Sequence, residues 1–109
     1  MGNLNRNEFR VNTERLVDTF CELVRTDSTS GNERQMADLL KRKLEEMGYK
    51  PEEDNAGEAI NGNAGNVIVK VPGNVEAPPL LFMAHMDTVE PGKGKIPVIN
   101  GDIITSDGT

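Results

Sequence analysis

From Thr13 onward the apolar positions fall into a helical rhythm. Leu16, Phe20 and Leu23 recur at i, i+4 and i+7, with Val17, Cys21 and Val24 one position further round. A stripe this wide predicts a helix lying well into a core. It gives way to a polar loop, Arg25-Thr26-Asp27-Ser28-Thr29-Ser30. Ser30-Gly31-Asn32-Glu33 has the spacing of a capping box, in which the Ser oxygen accepts from the Glu33 amide and the Glu33 carboxylate reaches back. A second helix is expected behind it, with Met36, Leu39, Leu40, Leu44 and Met47 on one side. Lys41, Arg42, Lys43, Glu45 and Glu46 mostly face water in this reading, and Gly48 stands where a left-handed cap wants glycine.

Beyond Tyr49 the pattern is extended, then loosens between Asn55 and Gly65. Gly57, Gly62 and Gly65 do not make a phosphate loop, because a strand pattern, Asn66 to Val71, follows them rather than a helix N-terminus. Leu80-Leu81-Phe82-Met83-Ala84 is a continuous apolar run and predicts a strand covered on both faces. Ile96 to Ile99 and Asp102 to Thr105 flank Asn100-Gly101, a strong hairpin signal. Two helices followed by strands imply an α/β layer structure. Two helices are too few to cover a doubly buried strand, so a chain running on past Thr109 is expected.

Composition narrows the function. The 109 residues carry 12 Lys plus Arg against 18 Asp plus Glu, a net charge of -6. That balance argues against nucleic acid and membrane surfaces as partners. No apolar run reaches the roughly 20 residues of a membrane helix, and the N-terminus lacks a signal-peptide pattern. The single cysteine, Cys21, excludes an internal disulfide framework and reads as inert packing. A cytoplasmic location is expected. Residues 1–12, polar and Asn-rich, read as a flexible arm, and 13–109 as one small domain or a piece of a larger one.

Imidazole chemistry is available at one place, His85, the single histidine. It follows the apolar run, and ligands collect at the carboxyl ends of strands in open α/β sheets. Asp87 lies two residues on, on the same face of an extended segment. Its carboxylate can accept from one ring nitrogen of His85 and leave the other free for a metal or a proton. His-x-Asp alone is a short and common pattern, and zinc needs three or four protein ligands. Asp107 offers a further oxygen, but Asp107-Gly108 is more economically a turn.

The surrounding residues carry a resemblance. Leu80 to Val89, reading Leu-Leu-Phe-Met-Ala-His-Met-Asp-Thr-Val, resembles the metal-binding strand end of the two-zinc exopeptidases related to peptidase T. Ser28 to Glu33 resembles that family's Ser-Gly-x-Glu entry to its second helix, and Leu44 to Tyr49 the close of that helix. Gly65 to Ile68 resembles the strand ahead of the metal strand, and Pro97 to Ile104 the segment leading to the next ligand. The superfamily includes glutamate carboxypeptidase and aminoacylase. The resemblance implies the N-terminal part of a three-layer α/β catalytic domain, with two helices, then sheet strands and a hairpin. It also implies a hydrolase of short peptides using two zinc ions, with cobalt or manganese as alternative metals. His85 would be a ligand to one zinc, and Asp87, counted with the catalytic residues, the carboxylate that hydrogen-bonds and orients that ligand. The family's bridging Asp, Glu-Glu pair, further carboxylate and distal His have no counterpart among these motifs. The fragment alone is therefore expected to be inactive, and a homodimer would form through a domain missing here.

Two other readings stand beside this one. An aspartyl-nucleophile phosphatase would share Asp87 and Val89, but His85 occupies the nucleophile's position and cannot form an aspartyl phosphate. A non-catalytic binding or scaffold module derived from the same fold is the alternative from another class.

Overall fold

Asn12 opens the first helix, α1 (Thr13–Arg25), by accepting the Arg15 amide on its side chain at 3.0 Å. The computed structural model describes residues 10–108, so most of the arm expected over residues 1–12 lies outside the described residues. Cys21 is buried, as its place in the stripe predicts. The burial is nonetheless narrower than the stripe. Val17 and Val24 turn partly inward beside Cys21, while Leu16 and Phe20 on the neighbouring row stay exposed.

The second helix, α2 (Arg34–Glu46), buries Met36, Ala37 and Leu39. Met47, expected on the same side, is exposed. Its C-terminus forms the predicted glycine cap. Gly48 has φ +94°, its amide donates to Glu45 at 2.9 Å, and the Tyr49 amide reaches back to Leu44 at 3.0 Å. The N-terminus departs from expectation, because the capping box does not form. Glu33 is the cap residue and makes no side-chain cap bond. The Asn63 side chain instead accepts the Arg34 amide at 3.0 Å. A tertiary partner thus satisfies one of the orphan amides of the first turn, a different one from the Glu33 amide that the box would serve.

Two antiparallel ribbons follow. β1 (Glu52–Glu53) pairs with β2 (Val67–Ile68), bracketing a 3-10 helix over Ala56–Ile60. The strand pattern of Asn66 to Val71 thus yields only two ladder residues. β3 (Pro97–Asn100) pairs with β4 (Ile103–Ser106), placing Asn100 opposite Ile103. The hairpin turns on Gly101-Asp102, one residue later than Asn100-Gly101. The positive φ falls at Gly101, the first central position, as a type II′ turn requires. α1 packs against β3 and α2 against β2.

Leu80 to Ala84 contradicts its sequence pattern. The run makes no ladder and is not covered on either face, with Leu80 83% and Phe82 88% exposed. The expected strand needs neighbours on both edges and helices on both faces, and the described residues supply neither. The Cα radius of gyration, 17.0 Å, agrees with this open arrangement. A compact chain of about 100 residues has a radius near ~13 Å.

An ion cluster fastens α2 to the first ribbon. Glu53 takes both guanidinium nitrogens of Arg34, the ammonium of Lys41 at 2.8 Å and the Gly65 amide at 2.9 Å. The Arg34 hydrogen bonds, followed by those from Gly65 and Lys41, hold its carboxyl down at about 2. Lys43 pairs with Glu22 and ties α2 to α1. Lys41 and Lys43 are therefore partnered, rather than simply facing water as the helix pattern suggested.

Candidate functional site

The loop between the two helices builds the site. Ser28 and Thr29 are buried polar residues, an arrangement that costs free energy unless their groups are paired. Ser28 is paired twice across the chain. Its hydroxyl donates to the Met86 carbonyl at 2.9 Å, and its own carbonyl accepts the Thr88 amide at 2.7 Å. Thr29 and Thr88 form an isolated parallel bridge. Residues 86 and 88 are therefore gripped on either side of Asp87.

Ser30, exposed and free of any capping duty, donates its hydroxyl to Asp87 Oδ2 at 2.5 Å. The other oxygen, Oδ1, lies 3.0 Å from His85 Nδ1, which is also 2.8 Å from the Asp87 backbone carbonyl. Asp87 titrates below the usual carboxylate range, chiefly because the Ser30 hydroxyl bonds to its charged form, with the neighbouring His85 assisting. An ionised carboxylate and a carbonyl can only accept. Nδ1 of His85 therefore carries the proton, and in the neutral ring Nε2 keeps its lone pair.

The imidazole is 85% exposed. It lines an open cleft of about 520 Å³ together with Leu40, Leu44, Ile60 and Val67. Among the described residues no group of three His, Cys, Asp or Glu side chains converges on one point. Asp107, on the far hairpin, joins no such group. His85 thus offers a metal one ligand, and the described residues do not complete a tetrahedral set.

The sequence singled out His85 and Asp87, and the structure brings them into hydrogen-bonding contact. Sequence reasoning assigned Ser30 to a helix cap and gave Ser28 no role. The available signal was the polar triplet Ser28-Thr29-Ser30 between two amphipathic helices, since a buried hydroxyl such as that of Ser28 usually finds a partner.

Comparison with known proteins supplies the frame. No family model matches. The solved structure of a tripeptidase from Staphylococcus aureus subsp. aureus mu50 superposes with a TM-score of 0.84 at 38% identity. That of the aminopeptidase PepT from Bacillus cereus ATCC 10987 superposes with a TM-score of 0.83 at 38% identity. Both alignments cover 91% of this chain and 27% of the other. This chain carries the N-terminal portion of the PepT-type peptidase fold.

Protein YqjE of Bacillus subtilis (strain 168) is 37% identical over 99 residues, which is 91% of this chain and 27% of YqjE. The chain thus spans about a quarter of the length of the relatives it matches. For a PepT-type segment the bare Leu80 to Ala84 run is intelligible, since most of the relatives' fold has no counterpart in it. No helix among the described residues is long and apolar enough to cross a membrane.

Proposed function

We propose that this chain is the N-terminal part of the catalytic domain of a peptidase T-like metallo-exopeptidase. The whole enzyme hydrolyses short peptides in the cytoplasm and binds two metal ions, zinc being the first choice. His85 ligates one ion through Nε2, and Asp87 fixes the ring that does so. The supporting observation is the His85–Asp87 contact, in which the Asp87 carboxylate and carbonyl both face Nδ1.

Zinc at such a site supplies Lewis-acid polarisation of a scissile carbonyl and lowers the pKa of water. This chain's own contribution is orientation. Asp87 holds the imidazole in one tautomer and raises its basicity as a ligand, the ordinary task of a carboxylate behind a metal-bound histidine. The remaining ligands, the general base and the groups that read the peptide's termini belong to the parts of the relatives' length that this chain does not span.

The test is hydrolysis of an unblocked tripeptide by the full-length protein, before and after chelation and after zinc is returned. Activity that is lost and then restored, and that His85→Gln abolishes, supports the proposal. Turnover indifferent to chelation and to His85→Gln overturns it. A full-length protein without peptidase activity that binds a partner through this fold would instead favour the scaffold reading.

A further inference from the structure

We infer that Ser30 is a positioning residue for His85, acting through Asp87, and that it selects the ring tautomer that presents Nε2. The inference deepens the proposed reading of His85 and Asp87 and rests on it for its catalytic consequence. A carboxylate that is free to rotate can offer either oxygen to the ring, or both to solvent. Here the Ser30 hydroxyl occupies Oδ2 at 2.5 Å, which leaves Oδ1 to join the Asp87 carbonyl in accepting from His85 Nδ1, at 3.0 and 2.8 Å. The backbone on both sides is already held. Ser28 binds the Met86 carbonyl at 2.9 Å and the Thr88 amide at 2.7 Å, so Asp87 is left mainly its side-chain torsions. Ser30 removes that freedom.

The role has a chemical reason and an economical geometry. A hydroxyl donating to a carboxylate is a charge-assisted bond, shorter and stronger than a neutral one. His85 and Asp87 are both reachable by solvent, so water competes for each of their bonds. A fixed donor biases that competition towards one arrangement. Ser30 touches neither the ring nor the cleft. Its effect on His85 passes through Asp87 alone, which separates it from a ligand and from a group that meets substrate.

The test reads the ring directly. Long-range proton–nitrogen correlation spectra of the full-length protein distinguish Nδ1–H from Nε2–H in the neutral imidazole, with the His85 signals assigned by their loss in His85→Gln. In the native protein the Nδ1–H form should dominate. Ser30→Ala should move the tautomer ratio about fivefold towards Nε2–H, the weight of one ordinary hydrogen bond. Ser30→Thr keeps the hydroxyl and should restore the native ratio. Peptide turnover should follow the same order, with kcat about tenfold lower in Ser30→Ala and KM little changed. An unchanged ratio in Ser30→Ala overturns the inference, as does a Thr variant that behaves like Ala. If zinc leaves the native His85 signals undisturbed, the metal reading fails, and the tautomer ratio still decides whether Ser30 orients the ring.

Discussion

The Thr88 amide donates to the Ser28 carbonyl at 2.7 Å, joining residues sixty positions apart. This bond and the Ser28 hydroxyl's bond to Met86 hold the candidate site against the loop between the helices. Ser28→Ala removes the hydroxyl and leaves the Met86 carbonyl short of a donor. It should cost about 1 kcal/mol, measured by denaturant unfolding. Ser28→Val should cost more, because a branched side chain must then fit where Ser28 is fully buried. Equal stability of all three proteins would remove Ser28 from the account.

Asp87→Ala in the full-length protein should lower turnover about 10- to 100-fold, the usual effect of losing a carboxylate behind a metal ligand. Thermal stability should change little, since the lost contacts are near solvent. Unchanged turnover would end the orienting role.

Glu53 sets an acid limit on stability. Its carboxyl sits at about 2 in the fold against an ordinary 4.5, so the folded state favours the charged form. The stabilisation is complete above the ordinary value and is lost as pH falls from about 4.5 towards about 2. Glu53→Gln should be less stable at neutral pH, by roughly 2 kcal/mol, and should flatten this acid limb. Unfolding curves taken across that range decide the matter.

Two glycines near this cluster cannot accept a side chain. A Cβ on Gly65 would lie 1.9 Å from the Asp54 carbonyl oxygen, and one on Gly57 would lie 2.0 Å from that of Ala64. Gly65→Ala and Gly57→Ala should each cost roughly 2 kcal/mol or more, since backbone must move. Gly73→Ala meets open space and should be neutral or slightly stabilising. Melting temperatures of the three variants make the comparison.

The bare run from Leu80 to Met83 predicts behaviour in solution. Exposed contiguous apolar surface promotes association, and these four side chains are almost wholly uncovered. The 109-residue chain alone should self-associate, and Phe82→Glu should reduce its sedimentation-average mass at a given concentration. A sharp, reversible thermal transition in a monomeric chain would contradict this.

Local features were legible and remote ones were not. The Gly48 cap and the β3–β4 hairpin depend on neighbours within a few residues, the cap standing where the pattern puts it and the hairpin displaced by one position. Cys21 is buried as its place in the helical stripe indicates. The capping box is absent because α2 takes Glu33 rather than Ser30 as its cap, and Asn63, about thirty residues away, offers Arg34 a partner that no local pattern encodes. Leu80 to Ala84 was read for its composition, which states what the segment would bury against but cannot provide it. At the site, His85 and Asp87 were visible because two residues two apart share a face. The grip of Ser28 and Ser30 on them spans nearly sixty residues and has no periodicity to betray it.

That grip also dates the site within the folding of the chain. Closing a flexible loop of some sixty residues costs on the order of 4 kcal/mol of chain entropy before any contact repays it. The pairing of 28 with 88 encloses the whole of α2 and the first ribbon, so ordering those elements first shortens the effective span. The local His85–Asp87 contact is then fixed late, when long-range closure brings Ser28 and Ser30 against it. A polypeptide still emerging from the ribosome would hold this histidine as an ordinary, freely turning side chain. The orientation on which its proposed role depends would begin only when the distant loop arrives.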